Sequence, residues 1–123
     1  MPHDDSITIG QICDAMRRIQ RFAAGLDRDA FMTDELRQSA IERQLFIVCE
    51  AVVSRLSSEF KATYPDIEWS NIKRMRNILA HAYDFVNLDI VWQTVTEDIP
   101  KLLTAFEPLE PHFDSNVNPS PCQ

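Results

Sequence analysis

Apolar residues recur at alternating steps of three and four along most of this chain, which is the spacing of one buried face of an α-helix. The first such stretch covers residues 6–24, and Gly25 follows it as a predicted C-cap. A short helical turn then leads to the longest predicted helix, residues 34–57, for which Thr33 with Asp34 and Glu35 offers an N-cap and an acidic first turn. The first half therefore predicts two long helices joined by a short connection.

The second half repeats this pattern with two breaks. A short helical piece over residues 58–63 ends at Tyr64-Pro65, and Asp66 is the predicted cap of a third helix that begins near Ile67. A fourth helix begins after Leu88-Asp89, and Pro100 falls inside it and should kink it, because proline lacks the backbone donor. The residues predicted to form the core stripes of the four helices are Ile12, Ala15, Ile19, Phe22 and Leu26; Ile41, Leu45, Val48, Val52 and Leu56, widened by Phe46, Cys49 and Val53; Ile72, Met75, Leu79 and Ala82; and Val91, Val95, Ile99, Leu102 and Phe106.

Composition supports an all-α fold. The 123 residues fit one domain, and the chain has only two glycines and no Asn-Gly or Asp-Gly pair, which leaves little turn chemistry for β-hairpins. We predict an antiparallel four- to five-helix bundle over residues 1–107. Residues 108–123 contain four prolines and little to bury, and are predicted to form a mobile tail.

The net charge and the spacing of the cysteines exclude some classes of function. A formal net charge of −7 excludes a protein that coats nucleic acid through a general basic surface, but not one that holds RNA in a local basic cleft. Cys13, Cys49 and Cys122 have no metal-like spacing, and the first two are expected to behave as small buried hydrophobes. With no signal peptide or apolar span in the sequence, the expected location is cytoplasmic.

The most informative segment is Arg74 to Tyr83, "RMRNILAHAY", which places four potentially reactive side chains on one predicted helix. Arg76 and Tyr83 are seven positions apart and nearly eclipsed, and Asn77 and His81 are four apart and neighbours. Arg76 and His81 differ by five positions, which is about 140° around a regular helix. Either the helix ends or is distorted near Ala80, or a second copy of the chain completes the site, and we favour the second copy.

These residue types suit RNA cleavage without a metal. His81 can serve as a general base or acid near neutral pH, and Arg76 can stabilise the negative charge of a phosphorane-like transition state. Asn77 could orient His81 or the phosphate, and the hydroxyl of Tyr83 could bind phosphate or accept a covalent group. No acidic cluster with metal spacing accompanies them, so we expect neither a metal nor a cofactor. By itself, the spacing indicates only a helical bundle with a suggestive polar cluster.

Arg76, Asn77 and His81 match the signature of the HEPN superfamily, an arginine followed by a polar residue and, four to six residues later, a histidine. With Tyr83, the segment resembles the HepT toxins, whose pattern is Arg, four residues, His, one residue, Tyr. The resemblance extends over residues 26–103, and includes "YPDIEW" before the motif helix and "LDIVW" at the start of the last helix. Several positions differ from what is common in this family: Ala82, Gln44, Phe46 and Cys49.

The resemblance implies a HEPN-like homodimer with both motifs lining a shared cleft, and a ribonuclease that acts as the toxin of a type VII-like toxin–antitoxin pair. Its catalytic residues would be Arg76, Asn77 and His81, and Lys73 and Arg74 are assigned to substrate binding. The implied partner is an MntA-like nucleotidyltransferase antitoxin that adenylylates Tyr83. The alternative is a non-catalytic helical module that binds such a nucleotidyltransferase.

Overall fold

The computed structural model describes residues 5–81 and 86–111, and every regular element within them is helical. The helices are α1 (Asp5–Ala23), α2 (Arg28–Met32), α3 (Glu35–Arg55), α4 (Ser58–Thr63), α5 (Trp69–His81), α6 (Leu88–Gln93) and α7 (Ile99–Phe106), with a π-helical turn at Thr94–Asp98 and a 3₁₀ turn at Glu107–Leu109. The all-α prediction is confirmed for these residues.

Helix α3 lies at the centre of the fold. It packs against α1 along most of its length and against α2 and α5 on other sides. Its predicted stripe from Ile41 to Leu56 is buried in one core cluster together with the α1 residues Ile12, Ala15 and Ile19. Of the residues predicted to widen it, Cys49 is buried, whereas Phe46 and Val53 are half-buried. Burial of each large aliphatic side chain contributes about 1.5–3 kcal/mol, so the α1–α3 interface is a major source of stability.

The other core stripes are confirmed in part. Phe22 and Leu26 are half-buried and pack against the core, and Leu103, which the pattern did not single out, is buried. Met75 is the buried residue of α5, whose Ile72 and Leu79 are only partly covered. Helix α5 therefore lies at the edge of the core and leaves much of its surface exposed. The predicted core residue Ala82 lies outside the described residues.

Local capping explains most helix boundaries. The side chain of Asp34 accepts a hydrogen bond from the backbone N–H of Arg37 at 3.0 Å, which caps α3, and that of Ser57 accepts from Phe60 at 3.0 Å, which caps α4. Gly25 follows α1 with a φ of 80°, the left-handed conformation in which glycine avoids a steric cost. Asp34 rather than Thr33 is thus the N-cap of the longest helix, and Thr33 ends α2.

The start of the motif helix differs from the prediction. Helix α5 begins at Trp69, so the prediction of a start near Ile67 capped by Asp66 is wrong. The indole Nε1 of Trp69 donates to the carbonyl oxygens of Lys61 and Tyr64, each at 3.1 Å. These two bonds hold the preceding residues in a turn, which delays the helix by two positions.

The last helical stretch is irregular next to Pro100. The π-helical turn at Thr94–Asp98 immediately precedes α7, and Pro100 occupies the first turn of α7. Proline cannot donate a backbone hydrogen bond to the preceding turn, and a π-bulge is one way in which a helix absorbs such a defect. The structure shows a change in helix type before Pro100, and the predicted kink stays a prediction.

The chain beyond α7 returns to α1. The guanidinium of Arg17 contacts the carboxylates of Glu107 at 3.2 Å and Glu110 at 2.5 Å, and Leu109 packs against the core. Residues 108–111 of the predicted tail therefore contact the bundle, and the rest of that tail lies outside the described residues. In the described part of the chain, no helix combines the length and apolar character needed to span a bilayer.

We predict that Cys13 and Cys49 resist thiol reagents in the folded protein. Both are buried, and burial raises the pKa of each thiol to about 12, with Glu110 adding to the effect at Cys13. The reactive species is the thiolate, so labelling in a Cys122→Ser variant should be slow near pH 8 and become rapid on unfolding. Labelling by a chromogenic disulfide measures this, and rapid reaction without denaturant would contradict the α1–α3 packing.

Candidate active site

Helix α5 carries all the described candidate residues, and it is α-helical from Trp69 to His81. Asn77 and His81 are exposed, as are Lys73 and Arg74, whereas the side chain of Arg76 is only 27% exposed. The structure thus brings Arg76, Asn77 and His81 onto one accessible helix at the edge of the core.

Arg76 and His81 lie on different sides of that helix. Because α5 is regular through both positions, their separation of about 140° is retained. Asn77 lies one helical turn before His81, so its side chain is closer to that of His81 around the helix than the side chain of Arg76 is. The described helix ends at His81, the residue after Ala80, so both explanations for the spacing stay predictions.

Arg76 contacts an acidic residue on the central helix. Its Nε lies 3.3 Å from Oε1 of Glu50 on α3, and the other carboxylate oxygen, Oε2, accepts a hydrogen bond from the hydroxyl of Ser54 at 2.7 Å. The Nε atom is shielded from solvent, although its N–H does not point at Oε1 closely enough for an aligned hydrogen bond. Arg76 is therefore held by an ion pair from the inner side of the site.

The two residues assigned to substrate binding belong to different cavities. Lys73 lines a cavity of about 330 Å³ together with Lys61 and Ser70. Burial lowers the pKa of Lys61, the nearby charge of Lys73 adds to this effect, and Asp5 opposes it. This cavity combines two cationic groups with a hydroxyl, a set of groups that suits a phosphate.

Arg74 lines a second cavity of about 400 Å³, between α3, α5 and the 88–106 stretch. Its walls are largely aliphatic and include Ile72, Ile78 and Leu102. Burial, with Glu97 and Glu68 nearby, raises the pKa of Asp98 in the same wall. Lys73 and Arg74, both assigned to substrate binding, thus line different cavities.

No trio of His, Cys, Asp or Glu side chains arranged to hold a metal ion occurs among residues 5–81 and 86–111. The predicted modification site, Tyr83, lies outside the described residues. The arrangement that the structure does describe contains a cation, an amide and an imidazole on α5, with a carboxylate behind the cation.

Three residues next to the candidate site were not predicted from the sequence: Glu50, Ser54 and Lys61. Glu50 precedes Arg76 by 26 positions, and nothing in one sequence indicates which acidic residue of α3 faces α5. Glu50 and Ser54 are four positions apart, so their side chains are expected to be neighbours on a helix. Many pairs in a helical protein share this spacing, so it does not by itself indicate a functional site.

Comparison with known protein families identifies the family to which this chain belongs. The family model described as "Ribonuclease HepT-like" matches residues 12–109, which include the whole of α5 and its packing partners. The chain belongs to the ribonuclease HepT-like family. The resemblance inferred from the motif is thereby confirmed.

Individual relatives agree with this assignment. The chain is 38% identical over 98 residues to the "Probable ribonuclease HepT" of Thermococcus cleftensis, covering 80% of this chain and 88% of the relative. It is 31% identical over 96 residues to "Putative RNase MJ0127" of Methanocaldococcus jannaschii, covering 78% of each chain. A longer protein of that organism, "Gamma-glutamylcyclotransferase and putative RNase MJ0434", is 31% identical over 118 residues, which are 96% of this chain and 53% of that relative. No solved structure gave a significant match.

In this HepT-like chain, replacing Arg76 with alanine should cost little stability. Its ion pair with Glu50 is partly solvated, since the two side chains are 27% and 41% exposed, and such pairs contribute about 0–1 kcal/mol. We expect the free energy of unfolding in urea to change by no more than about 1 kcal/mol. Arg76→Lys is the matched control, and a much larger loss in Arg76→Ala would show that the residue is structural.

Proposed function

We propose that this chain is a metal-independent endoribonuclease and the toxin of a type VII-like toxin–antitoxin pair. The observation that carries this proposal is the placement of Arg76, Asn77 and His81 on the accessible part of α5, in a chain of the ribonuclease HepT-like family. An RNA toxin acts where RNA is translated, so the proposal places the protein in the cytoplasm.

The proposed reaction is an internal transfer at the RNA phosphate. A base removes the proton of a ribose 2′-hydroxyl, the 2′-oxygen bonds to phosphorus, and the bond to the departing 5′-oxygen breaks as that oxygen takes up a proton. His81 acts as the base that removes the 2′-hydroxyl proton or as the acid that protonates the departing 5′-oxygen, because imidazole titrates near neutral pH. Arg76 stabilises the additional negative charge on the phosphate oxygens, and Asn77 orients the phosphate or His81. The products are a 2′,3′-cyclic phosphate and a 5′-hydroxyl.

A homodimer would bring the separated groups together. Within one chain, Arg76 and His81 lie about 140° apart around α5, so the His81 of a second chain would reach a phosphate held by Arg76 more easily. The surface around Glu50 supports such a contact, because the half-buried apolar residues Phe46, Ile47 and Val53 lie one helical turn from it on α3. We propose that two copies pair across a twofold axis with their α5 helices lining one cleft.

RNA would be held by local cations on an acidic protein. Lys73, with Lys61 and Ser70 in the same cavity, lies one helical turn before Arg76 and is suited to a neighbouring phosphate of the strand. Arg74 lines the aliphatic cavity on the other side, where an unstacked base could be covered. Contacts with RNA phosphates and contacts with RNA bases would thus lie on different sides of α5.

Neutralisation would proceed through Tyr83. A nucleotidyltransferase antitoxin would direct the tyrosine oxygen to the α-phosphorus of ATP, forming a tyrosyl-AMP bond and releasing pyrophosphate. Tyr83 is seven positions after Arg76 in the sequence, and the added phosphate is an anion that would compete with RNA for the same guanidinium. Its bulk and charge together account for inhibition.

The decisive test is cleavage of total RNA in excess chelator by the wild type, His81→Ala and His112→Ala, the last replacing a histidine outside α5. We expect wild type and His112→Ala to release fragments ending in 2′,3′-cyclic phosphate, and His81→Ala to lose cleavage by about 100-fold or more while remaining folded. Mass spectrometry of the product ends measures this.

Cleavage by His81→Ala at the wild-type rate, or cleavage that chelator stops, would overturn the mechanism. No cleavage by any variant would favour the non-catalytic module that binds a nucleotidyltransferase.

A separate prediction concerns the modification. With an MntA-like nucleotidyltransferase and ATP labelled on the α-phosphate, wild type and Tyr64→Phe should become labelled, whereas Tyr83→Phe should not. Tyr64 is the matched control because it is the other tyrosine of the chain, and its ring packs against Phe60. Label retained in Tyr83→Phe would place the modified group elsewhere.

A further inference from the structure

The contact between Arg76 and Glu50 has a defined direction. Glu50 approaches Arg76 at Nε, with 3.3 Å between Nε and Oε1, and this is the ion pair of Arg76 within residues 5–81 and 86–111. Nε is shielded from solvent, so the exposed 27% of the side chain belongs to its other atoms. The guanidinium is therefore held by its inner corner, and no ion pair among the described residues occupies its η nitrogens, which carry the remaining N–H donors.

Glu50 is itself fixed by a second contact. Its Oε2 accepts a short hydrogen bond of 2.7 Å from the hydroxyl of Ser54, one helical turn further along α3. The two carboxylate oxygens thus have separate partners, one on α3 and one on α5. The result is a chain of contacts, Ser54–Glu50–Arg76, that runs from the central helix to the motif helix.

The contact is poorly explained as a source of stability. Both side chains are partly exposed, at 27% and 41%, and ion pairs of this kind contribute about 0–1 kcal/mol. Nor is it explained by attraction of RNA, because a carboxylate beside Arg76 offsets the positive charge that RNA would bind. What it does supply is orientation, since an unrestrained arginine side chain has many rotamers to lose when it binds a phosphate.

We propose that Glu50 is a positioning residue for Arg76. This inference rests on the proposed ribonuclease function: Glu50 holds Nε so that the η nitrogens face the scissile phosphate, and Ser54 holds Glu50. Arg76 then meets the transition state already oriented, which is the condition under which a cation is most effective in catalysis. The unaligned Nε–H···Oε1 geometry is compatible with this role, because hydrogen bonds of catalytic groups often tighten only when substrate binds.

A positioning role predicts opposite effects on turnover and on RNA affinity. In Glu50→Gln, kcat should fall roughly 10- to 100-fold, because a small misplacement of a catalytic group is costly. KM should stay constant or fall, because a negative charge next to the RNA is removed. Ser54→Ala should lower kcat in the same direction but less, since Glu50 keeps its contact with Arg76.

The matched control is Glu59→Gln, which removes the same charge from an exposed position on α4. It should leave kcat unchanged, and urea unfolding of all three variants should stay close to that of the wild type. If Glu50→Gln lowered kcat only by unfolding, or raised KM with kcat unchanged, the positioning role would be overturned.

A readout without RNA separates this inference from the proposed function. The ¹⁵N–¹H signal of Arg76 Nε, assigned through Arg76→Lys, should shift and exchange faster with water in Glu50→Gln but not in Glu59→Gln. An unchanged signal in Glu50→Gln would show that Glu50 does not hold Arg76. A wild type that cleaves no RNA would overturn the proposed function and with it any catalytic role of Glu50, while the NMR result would still report whether the contact exists.

Discussion

The packing of α3 against α1 is the contact on which the rest of this structure depends. One side of α3 buries Ile41, Leu45, Val48 and Val52 in the core, and the same helix carries Glu50 and Ser54 on a partly exposed side. Because a helix is rigid over its length, burial of the first side fixes the direction of the second. Helix α5 is then placed against a surface whose charge and shape are already determined by the core.

This arrangement explains why a helix with little buried surface can support a precise site. Helix α5 buries Met75 and covers Ile72 and Leu79 only in part, so its own packing contributes modestly. Trp69 holds its beginning through two indole hydrogen bonds and an edge contact with Phe60, and the Arg76–Glu50 ion pair joins its last turns to α3. The indole bonds thus fix where α5 begins and the ion pair orients Arg76, while the side that carries Asn77 and His81 stays accessible.

Periodicity was sufficient to predict the helices and most of the core, because a repeat of three and four positions reports directly which face is buried. The stripe of α3 was correct from Ile41 to Leu56, but two residues predicted to widen it, Phe46 and Val53, are only half-buried. The start of α5 was not, because its position depends on a hydrogen bond between the Trp69 indole and the carbonyl of Lys61, eight residues away. A cap residue such as Asp66 has only a local preference, and a tertiary contact of this kind overrides it. The π-helical turn before Pro100 illustrates the same limit, since proline predicts a defect but not the form that the chain adopts to absorb it.

The candidate site also contains residues that the sequence predicts and residues that only the fold brings together. Arg76, Asn77 and His81 belong to one continuous segment, so their types and spacing are visible in the sequence. Glu50 and Lys61 reach helix α5 only through the fold, where Glu50 contacts Arg76 and Lys61 lines the same cavity as Lys73. Lys61 joins Lys73 in one cavity, which separates Lys73 from its sequence neighbour Arg74 and gives the two cations different surroundings. A protein with a net charge of −7 can hold a polyanion only where such local groupings outweigh the overall repulsion. For the proposed binding of RNA, the position of each cation relative to α3 therefore matters more than the number of cations.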